Sequence, residues 1–112
     1  MDKATALDET QIASLLSEMP HWSVVEGALR RELRFENFSQ AFGFMTRVAL
    51  AAETLGHHPD WSNSWNHVTI SILHHDVGRL SSMDAKLARE VERIRAESGH
   101  PEVTAKPSSA TS

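Results

Sequence analysis

The sequence predicts an α+β domain in which an antiparallel sheet of three to four strands carries three helices on one face, in the order α-β-β-α-β-β-α. Three observations carry this expectation. Three segments place apolar residues at helical spacing behind capping residues, at Asp8, Asn37 and Ser81. Two short strand-like runs meet at Gly27, the pattern of a hairpin. A third run, His67 to His75, alternates apolar and polar residues as a half-buried strand does.

The first helix starts from Asp8 as N-cap. Gln11 three residues on completes a capping box, and Leu7 is placed to staple against Ile12. Ile12, Leu15, Leu16 and Met19 form its apolar face, and Pro20 stops it. The hairpin runs from Trp22 to Phe35. Leu29, Leu33 and Phe35 share one parity, and Arg30, Glu32 and Arg34 share the solvated one. Arg31 breaks the inward pattern.

The second helix runs from the Asn37 cap to about Leu55 and ends at Gly56. Phe38, Phe42, Met45, Val48, Ala49, Ala52 and Leu55 form its stripe, with Phe44 and Leu50 away from the centre. That surface is wider than one sheet contact needs, and either a subunit interface or deep burial accounts for it. Residues 61–65 form a loop or short strand. In the strand that follows, Val68, Ile70 and Ile72 point one way and His67, Thr69, Ser71 and His75 the other, until Gly78 breaks it. The last helix is capped by Ser81 with Asp84 at the third helical position, and buries Met83, Leu87, Val91 and Ile94. It frays near Ser98-Gly99. Residues 1–98 therefore form one domain, and 99–112, rich in Pro, Ser, Thr and Ala, read as a disordered tail.

With 112 residues the chain suits one domain with one modest core. A net charge of −4 argues against direct nucleic-acid contact, which calls for a basic surface. There is no cysteine, which excludes disulfides and thiolate metal sites and is compatible with a reducing cytoplasm. The N-terminus lacks a signal pattern, and no apolar run approaches the ~20 residues that span a bilayer. These features predict a soluble, cytoplasmic protein with no membrane partner.

The chemistry-bearing residues are two histidine pairs, Gly56-His57-His58-Pro59 and His74-His75, with Asp84 shortly after. Three readings stay open on spacing alone. His57, His58, His75 and Asp84 offer zinc ligands, although their spacing matches no usual metal motif and adjacent histidines project apart. The same histidines, following a helix end and a strand end, suit acid/base work on a bound molecule, because imidazole titrates near neutral pH. Or they are surface and cap residues, favoured at a helix C-terminus by the macrodipole. Asp84 has its own bland reading as part of the Ser81 cap, and Glu53 as a solvated helix residue. Trp22, Trp61 and Trp65 suit stacking on a flat heterocycle or plain packing.

In order, the chain presents Glu53, His57-His58-Pro59, Trp65, Val68, His75, Gly78 and Asp84. Ahead of these stand Phe38 to Leu50, and before that Trp22 through Glu26-Gly27. This constellation, from about Leu7 to Glu97, resembles the pterin-4a-carbinolamine dehydratase family. The resemblance implies dehydration of 4a-hydroxytetrahydrobiopterin to quinonoid dihydropterin and water, with no metal or organic cofactor. It implies a functional link to an aromatic amino acid hydroxylase, whose turnover releases that carbinolamine. It makes His57, His58 and His75 the catalytic histidines and has Pro59 shape the pocket. Trp22, Glu53 and Asp84 belong to the site or support it, and His74, Asp76 and Val77 line the pocket with His75.

The resemblance also implies a homo-oligomer, dimer or tetramer, with the long helix as its interface. The rival it raises is a helix-binding, coactivator-type module without catalysis. Two positions depart from the family pattern. His74 stands where threonine is usual and Trp65 where tyrosine is, which bears on substrate preference rather than on the core chemistry.

Overall fold

The structure, a computed structural model, describes residues 4–73, 78–99 and 102–103. The elements are α1 (Glu9–Glu18), β1 (Ser23–Val25), β2 (Ala28–Arg34), α2 (Phe38–Leu55), β3 (Asp60–Ser64), β4 (His67–Ile72) and α3 (Ser82–Glu97). The predicted order and class hold, and residues 61–64 prove to be strand rather than loop. The four strands pair antiparallel in the order β1-β2-β4-β3. The long central pairing puts Leu29 opposite Ile72, Arg31 opposite Ile70 and Leu33 opposite Val68.

Local chemistry fixes the ends. At α1, the Asp8 carboxylate accepts from the Gln11 N–H while the Gln11 side chain accepts from the Asp8 N–H, so the predicted capping box forms. Asn37 caps α2 through the Gln40 N–H. The β1–β2 turn holds both Glu26 and Gly27 at positive φ, 51° and 84°, which is the handedness that matches the twist of the flanking strands.

One face of the sheet is the core. Leu29, Leu33, Val68, Ile70 and Ile72 meet Ala41, Phe44, Val48 and Ala52 of α2 and Leu87, Ala88, Val91 and Ile94 of α3, joined by Leu15 of α1 and Met19 at its C-cap. The opposite face carries Arg30, Glu32, Arg34, His67, Thr69 and Ser71, as the parity of both strands predicts.

Two expectations meet a different arrangement. Arg31 does not leave the inward face; it is 2% exposed and occupies the slot between Leu29 and Leu33. Its Nε bonds Glu92 Oε2 at 2.8 Å, its Nη1 and Nη2 bond the Glu102 carboxylate at 3.0 and 2.8 Å, and Nη1 also reaches the Glu32 carbonyl. Glu92 and Glu102 thus make a buried cation tolerable, since charges are buried only when paired and hydrogen-bonded. The second difference is α2. Its buried seam is Ala41, Phe44, Val48 and Ala52, so Phe44 lies inside, while Phe38, Phe42, Ala49 and Leu50 face out. The arc of apolar residues is wider than the groove it packs into, and one flank is left over. The Phe38 and Phe42 rings sit 5.7 Å apart on that flank.

In the C-terminal segment, the Val103 N–H donates to the Arg34 carbonyl at 2.8 Å, next to the Glu102–Arg31 pair. Among the described residues, no helix is long and apolar enough to cross a membrane.

Candidate active site

Three element ends converge at one corner of the molecule. The first is the C-terminus of α2. Gly56 adopts the left-handed conformation (φ 68°) that a residue with a Cβ avoids, and its N–H closes on the Ala52 and Glu53 carbonyls. The next N–H, that of His57, also bonds the Ala52 carbonyl, at 3.1 Å. This double closure reverses the chain and turns the His57 ring inward. The second end is that of β4. Asp60, which opens β3, pairs with Ser71 near the end of β4, so the exit of β4 lies beside the His57-His58-Pro59 segment. The third is the start of α3.

α3 opens with the predicted box. Ser81 is its N-cap and Asp84 its third residue, and both are fully buried. The Asp84 Oδ2 accepts from the Ser81 N–H at 2.8 Å and from the Ser81 hydroxyl at 3.2 Å. Its Oδ1 lies 2.7 Å from His57 Nε2. Asp84 therefore completes the cap with one carboxylate oxygen and meets His57 with the other. An ionised carboxylate only accepts, so toward an ionised Asp84 the donor in this contact is the His57 Nε2–H.

His58 projects the other way, as neighbouring residues outside a helix do. Its side chain is 60% exposed, with Nε2 3.0 Å from Glu53 Oε1, itself on the exposed last turn of α2. Screening by water makes such a pair worth little to stability. What it does is orient the imidazole. Pro59 is half-buried between this pair and β3. The corner thus presents one enclosed histidine held by a carboxylate and one open histidine held by another, on consecutive residues.

The remaining expected site residues lie elsewhere or outside the description. Trp22 is not brought to the corner. It is 3% exposed, and its indole N–H donates to Glu92 Oε2 at 2.9 Å. Glu92 is eight residues beyond Asp84, roughly 12 Å along the helix axis. Trp22 is thus part of the Arg31–Glu92 cluster. His74, His75, Asp76 and Val77 lie outside the described residues, although Leu73 before them and Gly78 after them are described. Trp65 sits at the β3–β4 turn, 64% exposed with φ 51°. Among the described residues no three His, Asp or Glu side chains are grouped to hold a metal ion. The residue that sequence reasoning passed over is Ser81, noted only as a cap. The Ser-x-x-Asp spacing was the available signal, because a capping box engages one oxygen of its acid and leaves the other for a neighbour.

The family described as Pterin 4 alpha carbinolamine dehydratase matches residues 5–94. A relative from Synechococcus sp. strain WH7803, provisionally named pterin-4-alpha-carbinolamine dehydratase, is 46% identical over 91 residues, covering 81% of this chain and 98% of that protein. One of the same provisional name from Prochlorococcus marinus strain MIT 9303 is 50% identical over 91 residues, 81% of this chain and 95% of its own length. Among solved structures, a transcriptional coactivator/pterin dehydratase from Brucella melitensis superposes with a TM-score of 0.77 at 36% identity, over 80% of this chain and 98% of that one. A pterin dehydratase-like RuBisCO assembly factor of the alpha-carboxysome shares the fold, with a TM-score of 0.54 at 19% identity over 65% of this chain and 84% of its own. From residue 5 to residue 94, then, sequence and fold agree, and the chain belongs to the pterin-4-alpha-carbinolamine dehydratase family.

Proposed function

We propose that the chain is a hydro-lyase that dehydrates 4a-hydroxytetrahydrobiopterin. The C4a–OH bond breaks, the leaving oxygen takes a proton and departs as water, and N5 gives up its proton, leaving the quinonoid dihydropterin. One acid and one base suffice, and each such transfer is typically worth ~10²–10⁴-fold. The observation that carries the reading is the enclosed His57–Asp84 pair beside the open His58–Glu53 pair.

In this reading His57 exchanges protons through Nδ1, because Asp84 occupies Nε2. His58 meets the pterin from the solvent side, oriented by Glu53, and Pro59 fixes the angle between the two rings. His75 supplies the third imidazole, and His74, Asp76 and Val77 line the pocket with it. Trp22 supports the site only at a distance, by anchoring α3 through Glu92. No metal or organic cofactor takes part.

The reaction places the protein downstream of an aromatic amino acid hydroxylase, in the cytoplasm, recycling tetrahydrobiopterin. The leftover flank of α2, with Phe38 49% and Phe42 54% exposed, supports a homo-oligomer built through that helix. The same flank is the observation that favours the second reading, a helix-binding module without catalysis. One assay separates them. Purified protein is added to a phenylalanine hydroxylase reaction, and the carbinolamine absorbance is followed. The dehydratase reading expects faster decay that is lost in His57→Ala; decay at the uncatalysed rate sinks it and leaves the binding module.

A further inference from the structure

Asp84 can serve His57 only if its carboxylate is held in one orientation, and the groups that hold it belong to Ser81. Both donors are present on that one residue: the backbone N–H at 2.8 Å and the hydroxyl at 3.2 Å, each to Oδ2. Ser81 is in turn immobilised from outside the helix. Ala6 and Ser81 form an antiparallel bridge, the Leu7 N–H donates to the Leu80 carbonyl at 2.9 Å, and the Ser82 N–H donates to the Thr5 carbonyl at 2.8 Å. The Thr5 N–H closes this strap on the Ser82 hydroxyl at 3.0 Å. A residue that only capped a helix would need none of this. Asp8 caps α1 with the same box but exposed to solvent, whereas Ser81 is fully buried.

We propose that Ser81 is a positioning residue for His57, acting through Asp84, so that the α3 capping box sets which nitrogen of the catalytic imidazole carries the proton. The chain of contacts is short and closed: Ser81 N–H and O–H to Oδ2, Oδ1 to Nε2. All three residues are under a tenth exposed, so water does not offer Asp84 substitute donors. With the hydroxyl gone, the carboxylate keeps one donor of two and can rotate about its Cβ–Cγ bond. The Nε2–H form of His57 then faces an acceptor that is no longer held in place. This inference rests on the dehydratase reading for its kinetic consequence but not for its structural one.

The test exploits a property of N-caps: glycine replaces serine there at a cost of only a few tenths of a kcal/mol, whereas alanine costs more. Ser81→Gly therefore removes the hydroxyl while nearly sparing the helix. We expect kcat to fall about tenfold, the order set by one hydrogen bond to a charged group, with KM within about twofold. The ¹⁵N shifts of the His57 ring should move from a single Nε2–H tautomer to a mixture. Ser81→Thr, which restores a hydroxyl, should recover both readings. Asp8→Gly, the matched loss of a cap at α1, should leave both at the wild-type values. A folded Ser81→Gly protein with unchanged His57 ring shifts overturns the proposal whatever its turnover. If Ser81→Gly does not fold in plain buffer, the same shifts are read in a stabilising osmolyte such as TMAO, which favours the folded state. Should the wild-type chain lack dehydratase activity, the functional reading fails, and the ring shifts still decide the role of Ser81.

Discussion

Replacing Asp84 by asparagine probes the site with the least change of shape. The carboxylate accepts three hydrogen bonds, two on Oδ2 from Ser81 and one on Oδ1 from His57. Asparagine keeps one acceptor oxygen and turns the other into an NH₂ donor. It has two ways to sit. With its oxygen toward His57, its NH₂ faces the Ser81 N–H across about the former 2.8 Å, donor against donor, in a site with no exposure. Leaving those buried groups without acceptors costs about 1–3 kcal/mol each. With its oxygen toward Ser81 the cap survives, and the NH₂ faces His57 Nε2. That nitrogen must then accept, so the ring proton moves to Nδ1.

The second orientation wins, because all three contacts survive as neutral bonds, offset in part by the lower cost of burying an amide, and neither Ser81 donor is left without an acceptor. The difference is about 1–2 kcal/mol, or roughly 5–10 °C in Tm for a domain of this size. Catalysis suffers more, because the nitrogen that should exchange protons with the pterin is now occupied. Turnover should fall by ~10²–10⁴, the range for losing one general acid/base, with KM little changed. The same exchange in serine-protease triads leaves geometry intact and presents the wrong tautomer. Steady-state kinetics, thermal melts and ¹⁵N spectra of the neutral His57 ring measure the three quantities independently. An Asp84→Asn protein that keeps wild-type kcat and an Nε2–H ring would show that the His57–Asp84 contact is structural only.

Two further predictions concern the rest of the molecule. Burial alone would push the Glu92 carboxyl up, but the Arg31 hydrogen bond and charge, with Trp22 and Arg95, outweigh it and hold it below the ordinary carboxylate range. A depressed folded value means stability that is fully present above the unfolded value, ~4.3, and lost as pH falls through the folded one. Glu92→Gln should therefore cost about 2 kcal/mol in urea titrations at neutral pH and progressively less as the pH falls below ~4; a cost that does not change with pH would contradict the ionic account. On α2, Phe42→Lys changes a residue 54% exposed in the single chain, so folding should be nearly unaffected. Sedimentation should show the oligomer dissociating, and an unchanged assembly would move the interface off this flank.

The parts legible in the sequence are those governed by neighbours along the chain. The boxes at Asp8 and Ser81, the stop at Gly56 and the alternation of β4 all follow from residues within four positions of each other, and all appear as read. Arg31 was illegible because its partners, Glu92 and Glu102, stand 61 and 71 residues away. A parity rule sees only a cation among leucines. On α2 the periodicity identified the apolar arc but not which half of it the sheet takes, since that depends on where α3 lies. At the site, the sequence brought out His57, His58, Glu53 and Asp84 but not their pairing. Nothing local says that His57 turns inward to Asp84 while His58 turns out to Glu53.

Both buried charge clusters lie along α3, and their difference is what singles out one of them. Sequences break the rule against buried charge where function or a compensating partner requires it. In the Arg31 cluster two carboxylates face two guanidiniums, with the Arg95 Nε 3.2 Å from Glu102 as an ion pair without hydrogen-bond geometry, and neither cation changes charge near neutral pH. It can hold hairpin, helix and C-terminal segment together, but it cannot move a proton. The Asp84 cluster ends instead on an imidazole, the side chain that can. That imidazole sits where the chain reverses after Gly56, beside the exit of β4 and next to an exposed second histidine. A carboxylate buried this deeply, with three donors gathered from two elements to hold it, is more than a helix cap requires, since Gln11 fills the same place in the α1 box while exposed. The excess is accounted for once the purpose of Asp84 is to fix a ring rather than to start a helix.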